Sequence, residues 1–528
     1  MERSTLHLYD AGREVEENHK DEGEEMMKFK RDISVILAAI LLGGTVSCSE
    51  GAKETNQTHS DPQQLESETE PVEEQQASYL DGLPEADFSG STFGVYTSNN
   101  INSWTLPTTL NYADEETGEV VNDALFARDL WLEERYSVKL DFTVDGTTPA
   151  GSMSTLLEKN ILAGDSSYNL ILQDVACVAK PLTMDGCAYP LNLVNGIRLD
   201  EEYWMPDLNG ELKFGGNTFL AASAISPRFY GSVYLYLFNR ELAVNLDMPD
   251  LYTLVQEGRW TLDAQYTLSE QALADLNGDG SYGDEDRYGL CWEVLTPEAV
   301  VLGCGYHLVK NVDGQLSFMT NEEGLVDVLL TMGENFHKDY AFQDSGKTKL
   351  NVSAILNGGQ FLFLNTCTFN LAEYRDFTFD YGILPMPKKD EAQDKYISYA
   401  QPWVVASPVI PITVTGDDLA MTGTITDAMS AYGYACLRPA VFDNVIQMKG
   451  TRDEQSASIV NRLFENVTFE LATIYGFGGF YSSFTNAFEN NQTANLMSVW
   501  AKIQKSADKE LTKICEAYDG IAEKLEGQ

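Results

Sequence analysis

Apolar and polar positions alternate in two registers along this chain, and the switches between them mark its elements. Ser91 to Tyr96 (STFGVY) reads as a strand. Val120 to Tyr136 places its apolar residues at helical spacing, and Val138 to Val144 (VKLDFTV) has strand character. Ser154 to Ala163 reads as a helix closed by Gly164, and Asn169 to Gln173 as a short apolar strand. This β-α-β-α-β run predicts a parallel sheet covered by helices on both faces. A second such region runs from about Phe229 to Asp390. It contains a helix after Glu322, the strand Gln360 to Leu364, and a strand through Gly382 to Pro387 (GILPMP). The C-terminal end is expected to be helical, over Ser456 to Val467 and Thr493 to Glu523.

Near the start, Lys28, Lys30 and Arg31 precede an apolar run from Ile33 to Leu42, and small residues then lead to Cys48. A basic segment, about ten apolar residues and a small-residue cleavage zone make a secretory signal. The run is too short to span a membrane, which takes roughly 20 apolar residues. Cys48 resembles the acylated cysteine of a bacterial lipobox, although Thr45 stands where Leu is usual. Residues 1–47 are thus expected to be leader and signal, with Met26 or Met27 as the true start. Residues 48–88 are rich in Glu, Gln, Ser and Thr, bury too little apolar surface to offset their ordering entropy, and read as a disordered acidic tether.

Composition narrows the function classes. The 43% hydrophobic and 11% aromatic content suits packed lobes, and the net charge of -46 repels nucleic acid phosphates. Seven cysteines besides Cys48, with no CxxC pair, argue against a disulfide framework or zinc ribbon, and buried thiols are expected. His307 and His337 are the histidines of the folded region, and they lack any accompanying ligand or triad pattern. No phosphate-loop, dinucleotide or G-x-S-x-G motif is present.

The middle of the chain is more specific. An aromatic strand runs into Phe238-Asn239-Arg240, and a helix ends near Asp247-Met248-Pro249. A Gly258-Arg259-Trp260-Thr261 turn follows, with Thr261 starting the next helix; an acidic loop from Asp275 to Asp286 comes after it. Glu373 to Asp376 (EYRD), Lys388 to Tyr396 (KKDEAQDKY), Met448 to Gly450 and Arg452 to Ser456 (RDEQS) add further stretches. In combination these resemble the sugar-binding extracellular solute-binding proteins of bacterial ABC importers, family 1, over roughly residues 90–520. The resemblance implies a two-lobed α/β fold of the type II periplasmic-binding-protein kind, each lobe a mainly parallel sheet flanked by helices. Lobe one is expected at 89–224 plus 404–455, and lobe two at 225–403 plus 456–528, with crossings near Ser223–Phe229 and Pro402–Ser407. It implies a monomer, lipid-anchored on the extracellular face of the cell membrane. Such a receptor captures a carbohydrate, an oligosaccharide by expectation, and delivers it to importer membrane subunits without making or breaking a bond. A secreted carbohydrate-active enzyme working with paired carboxylates, a peptide-binding receptor of the same fold, and a dockerin-like module remain as alternatives.

Sugars offer flat C–H faces ringed by hydroxyls, so their sites need aromatic platforms and polar hydrogen-bonding side chains. In open α/β sheets ligands sit beyond strand ends. The loop after the first strand offers Asn99, Asn100 and Trp104, and the third strand ends in Gln173 and Asp174. The first crossing gives Arg228, Phe229, Tyr230 and Tyr234; the return gives Gln401 and Trp403; a late loop gives Tyr475, Phe480 and Tyr481.

The acidic loop predicts a structural calcium ion. Asp275, Asn277, Asp279, Gly280 and Asp286 fall at positions 1, 3, 5, 6 and 12 of an EF-hand-type loop, and Ser281 at position 7 would add a carbonyl. Asp286 stands where a bidentate Glu is usual, which shortens its reach. No organic cofactor is expected.

Overall fold

The computed structural model describes residues 79–98, 111–146, 150–312, 314–344, 348–442 and 451–526. The strands of its two main sheets are β1 (Ser91–Ser98), β2 (Val138–Asp145), β3 (Leu170–Asp174), β4 (Tyr234–Asn239), β5 (Tyr288–Trp292), β6 (Ala341–Gln343), β7 (Phe361–Cys367), β8 (Tyr381–Leu384) and β9 (Ala406–Val409). The first sheet has the order β9-β3-β1-β2, with β1 parallel to both β2 and β3 and β9 antiparallel to β3. The second has the order β6-β5-β7-β4-β8, in which β5 runs parallel to β6 and β7 while β4 opposes both β7 and β8. The central strands β3, β4, β5 and β7 are buried along their whole length, as expected of strands covered on both faces.

Each sheet therefore carries one reversed strand, and the two have a common origin. β4 is the first main-sheet strand built after the chain leaves the first sheet near Ser223, and β9 is the first built after it returns near Gln401. The two crossing segments lie side by side. Val233 and Ala400 form an antiparallel bridge, and Gln401 N donates to Ser232 O at 3.1 Å.

The helices follow their local signals. α1 (Val120–Tyr136) keeps the predicted bounds, its start capped by Glu119 and its end by Ser137 in the left-handed region. α2 (Leu262–Ala272) starts at Thr261, whose hydroxyl accepts from Ala264 N, and it covers β5 and β7. α3 (Asp417–Tyr432) packs on α1. α4 (Glu454–Leu463) is capped by Asp453, which accepts from Ser456 N at 2.7 Å, and covers β8. α5 (Leu496–Glu526) closes the chain. Among the described residues no helix is long and apolar enough to cross a membrane.

Three expectations shift. Residues 79–88 do not behave as tether: Leu83 is buried, and the Tyr79 ring meets Tyr434 at 4.9 Å. Their aromatic and leucine side chains give this end of the segment something to bury. The helix expected through Val467 stops at Leu463, because Val467 and Thr468 pair with Ser398 and Tyr399 as a parallel ladder. Finally, α5 does not belong to the second sheet's side alone. Its 31 residues span about 46 Å at 1.5 Å each. The buried stripe Trp500, Ala507, Ile514, Tyr518, Ile521 lies across elements attached to both sheets. Tyr518 OH sits 3.1 Å from Thr183 Oγ1 in the helix after β3's turn, while Trp500 stacks on Phe480 at 4.5 Å. The expected signal, Cys48, most of the tether and Met448 to Gly450 lie outside the described residues.

Candidate functional site

The crossings gather most of the expected site residues. Asp174 ends β3 and pairs with Arg228 of the first crossing, both side chains essentially inaccessible. Burial pushes the Asp174 carboxyl up to about 6 while the guanidinium pulls it back. Val175 N and Ala176 N donate to Val405 O and Pro402 O, which ties the end of β3 to the return crossing. Gln173, facing β9 at Ser407, is buried with neither end of its amide hydrogen-bonded. Phe229 and Tyr230 stack edge-to-face at 5.3 Å, and both pack against Phe464. Tyr234 begins β4, packs its ring 5.2 Å from Tyr399, and donates its hydroxyl to Glu293. Gln401 reaches Cys367 Sγ at 3.6 Å. Trp403 stands 41% exposed on the return crossing. Asn99, Asn100 and Trp104 lie outside the described residues.

On the first sheet's side, the end of β1 is tied by a closed polar network. Asn111 Nδ2 donates to Thr97 Oγ1 at 2.7 Å, Ser226 Oγ donates to Asn111 Oδ1 at 2.6 Å, and Arg128 donates to Ile225 O and Asn111 O. These bonds fix the first crossing onto α1 and β1.

The late loop does not join the site. Tyr475 is buried with its hydroxyl 2.5 Å from that of Tyr518, and Phe480 is sandwiched by Trp500 and Phe318. Both serve the packing of α5. The cause was visible in the sequence: Phe480, Phe484 and Phe488 recur every four residues along one helix face, which marks core. Tyr481 is half-buried, and its hydroxyl lies against Glu298.

Instead, a cavity of about 540 Å³ opens at the carboxyl ends of the second sheet's parallel strands. Glu293 follows β5, Asp344 follows β6, and Asn365 and Thr366 close β7. Tyr374 and Phe377 come from the turn after β7, their rings stacked at 5.0 Å with a 22° tilt, and Phe377 stacks in turn on Phe379 at 4.9 Å. Tyr374 OH lies 3.2 Å from Thr366 Oγ1, and Asn370 Nδ2 donates to the same hydroxyl at 3.0 Å. Arg452 holds the turn from behind, donating to Phe377 O at 2.6 Å and Arg375 O at 2.9 Å while lying over the Tyr381 ring. Burial pushes Glu293 up to about 7 and raises Asp344 as well. Flat aromatic faces, amides, hydroxyls and carboxylates in one recess are the chemistry a sugar requires. Sequence reasoning missed these lining residues because they come from three separate strand ends, although Glu373 to Asp376 had already stood out as a motif.

The acidic loop folds through its own backbone. Asp275 accepts from Gly278 N and Gly280 N, Asp279 from Ser281 N, and Asp286 from Leu276 N and Gly283 N. Gly278 and Gly280 take φ of 75° and 81°, a region costly for other residues. Among the described residues no three acidic, histidine or cysteine side chains gather closely enough to hold a metal.

The sequence matches no family model and no curated protein. Solved structures do match. A sugar transporter from Rhizobium etli in an open conformation aligns with TM-score 0.50 at 14% identity, over 81% of this chain and 98% of that one. The galacto-N-biose/lacto-N-biose I-binding protein of the ABC transporter from Bifidobacterium longum, in complex with lacto-N-biose, aligns with TM-score 0.50 at 9% identity, over 81% and 98%. This chain has their fold. It is the two-lobed α/β architecture of ABC-transporter sugar-binding proteins, with sheets flanked by helices and a helical C-terminus.

Proposed function

We propose that this protein captures a carbohydrate, an oligosaccharide by size of the recess, between its two lobes and hands it to an ABC importer. The observation that carries the reading is the cavity at the strand ends of the second sheet. Its stacked Tyr374 and Phe377 rings stand beside Asn365, Thr366 and Asn370. Tyr234 already reaches the cavity through Glu293, and Gln401 holds the end of β7 at Cys367; ligand closure would bring Trp403 and the end of β3 toward it. Titration calorimetry against a panel of neutral oligosaccharides tests this, with micromolar affinity expected, about -8 kcal/mol. Small-angle scattering should show a smaller radius of gyration with the ligand. A panel without any binder would reject the reading.

One observation favours a second reading. Glu293, raised to about 7, shares the cavity with the carboxylate of Asp344, and glycosidases set a protonated acid near an ionised one. Chromatography of the bound oligosaccharide after prolonged incubation separates the two: a receptor returns it intact.

The remaining parts of the proposal concern placement. Cys48 is the lipid anchor of a monomeric receptor on the outer face of the cell membrane, so Cys48→Ala should move the protein from the membrane fraction to the medium. The loop from Asp275 to Asp286 takes calcium. A carboxylate has about four lone-pair sites, so the N–H bonds it already accepts leave positions for a cation.

A further inference from the structure

Several acids of the body are met by an arginine, unlike those of the cavity. Asp129 pairs with Arg128, Asp174 with Arg228, Asp427 with Arg198 and Asp453 with Arg240. Glu470, which has no arginine, accepts three backbone N–H groups instead. Among the described residues, the cavity holds Glu293, Asp344 and Glu373 and no lysine or arginine. Among the described residues none of the three makes an ion pair; Glu293 accepts only from the Tyr234 hydroxyl, and Glu293 and Asp344 repel one another. An uncompensated carboxylate pair in a half-buried recess is costly unless a positive charge arrives. Beside it, the Tyr374–Phe377 stack offers ring faces, to which cations are drawn.

We propose that the captured saccharide carries a protonated amine, held by Glu293 and Asp344 against the Tyr374–Phe377 faces. The inference rests on the carbohydrate reading above and narrows it to aminated sugars. Acidic sugars are excluded by the same charges. The electrostatic part of such binding weakens with salt.

The test is calorimetry on the purified protein with three disaccharides: one of glucosamine, its N-acetylated counterpart, and one of glucose. The glucosamine disaccharide should bind at least tenfold more tightly than either neutral sugar, and the advantage should shrink as sodium chloride rises. Glu293→Gln and Asp344→Asn should each cut that preference while keeping the melting temperature near that of the parent. Should either variant fail to fold, the ratio measured on the unaltered protein still decides. Equal or tighter binding of a neutral sugar overturns the amine and leaves the carbohydrate reading standing. Binding of none of these or other saccharides, or of a lysine-bearing peptide alone, overturns both.

Discussion

The first sheet's surroundings and the second sheet's strand ends both bury carboxylates, and they neutralise them by opposite means. Around α3, Asp427 is fully buried and accepts from Arg198 N and Nε, Tyr203 OH and Trp204 Nε1, four donors on one carboxylate. Around the cavity and behind it, Glu293 and Glu298 face no base, and burial pushes them up to about 7 and about 8. The first arrangement spends its charge on holding a structure. The second keeps charge, or a proton, available at neutral pH. The arginine-paired acids of this molecule belong to its scaffold, while the acids of the cavity are left without a base.

The comparison breaks most severely at Asp427. Asp427→Ala strands four donors, two of them on Arg198, and should cost about 3–5 kcal/mol, read as a lowered urea midpoint. Ligand affinity of the molecules that remain folded should change little. Tyr374→Ala attacks the other region. It removes one of the two stacked faces and should weaken saccharide binding ten- to hundredfold by calorimetry, with a smaller loss of melting temperature.

pH sharpens the contrast. Glu293, Glu298 and Glu470 titrate in the fold at about 7, about 8 and about 7, well above the roughly 4.3 of an unfolded glutamate. Between these limits the folded chain binds more protons than the unfolded one, so stability falls as pH rises. Melting temperature should decline from about pH 5 to pH 8, and Glu298→Gln, a neutral mimic of the protonated acid, should flatten the decline. A curve that rises across this window would refute the assignment.

The smallest effect is expected at the acidic loop. A ligand at a hundredfold excess over its Kd stabilises by about 2.7 kcal/mol. Chelation should lower the melting temperature by a few degrees, and Asp279→Ala should erase that difference. Overlapping curves with and without chelator would show that the loop's own N–H bonds suffice.

Much of the fold was legible from pattern alone. The bounds of α1, the Thr261 and Asp453 caps, and the strands β1, β2, β3 and β7 follow from periodicity and local side chain-to-backbone bonding, which short stretches of sequence contain. The site was less legible. Asp174 was recognised as a strand end and Arg228 and Tyr234 as crossing residues, yet their burial and pairing depend on what the return crossing lays against them. Glu293, Asp344 and Tyr374 meet only because β5, β6 and β7 are neighbours in the order β6-β5-β7, and strand order is not written in any local window. Tyr475 and Phe480 were placed in the site as residues of a late loop, whereas α5 supplied the apolar surface that claimed them.

The bridge between Val233 and Ala400 has a mechanical consequence. Two strands of chain laced together at the waist bend readily about the line across them and resist twisting about their own length. Bending of the two sheets about these paired segments would also have to move α5, whose Tyr518 and Trp500 hold elements of both sides. Paired in this way, the two segments keep a single register relative to one another, so the ends of β3 and β4 that flank them are aligned by backbone bonds rather than by side chains.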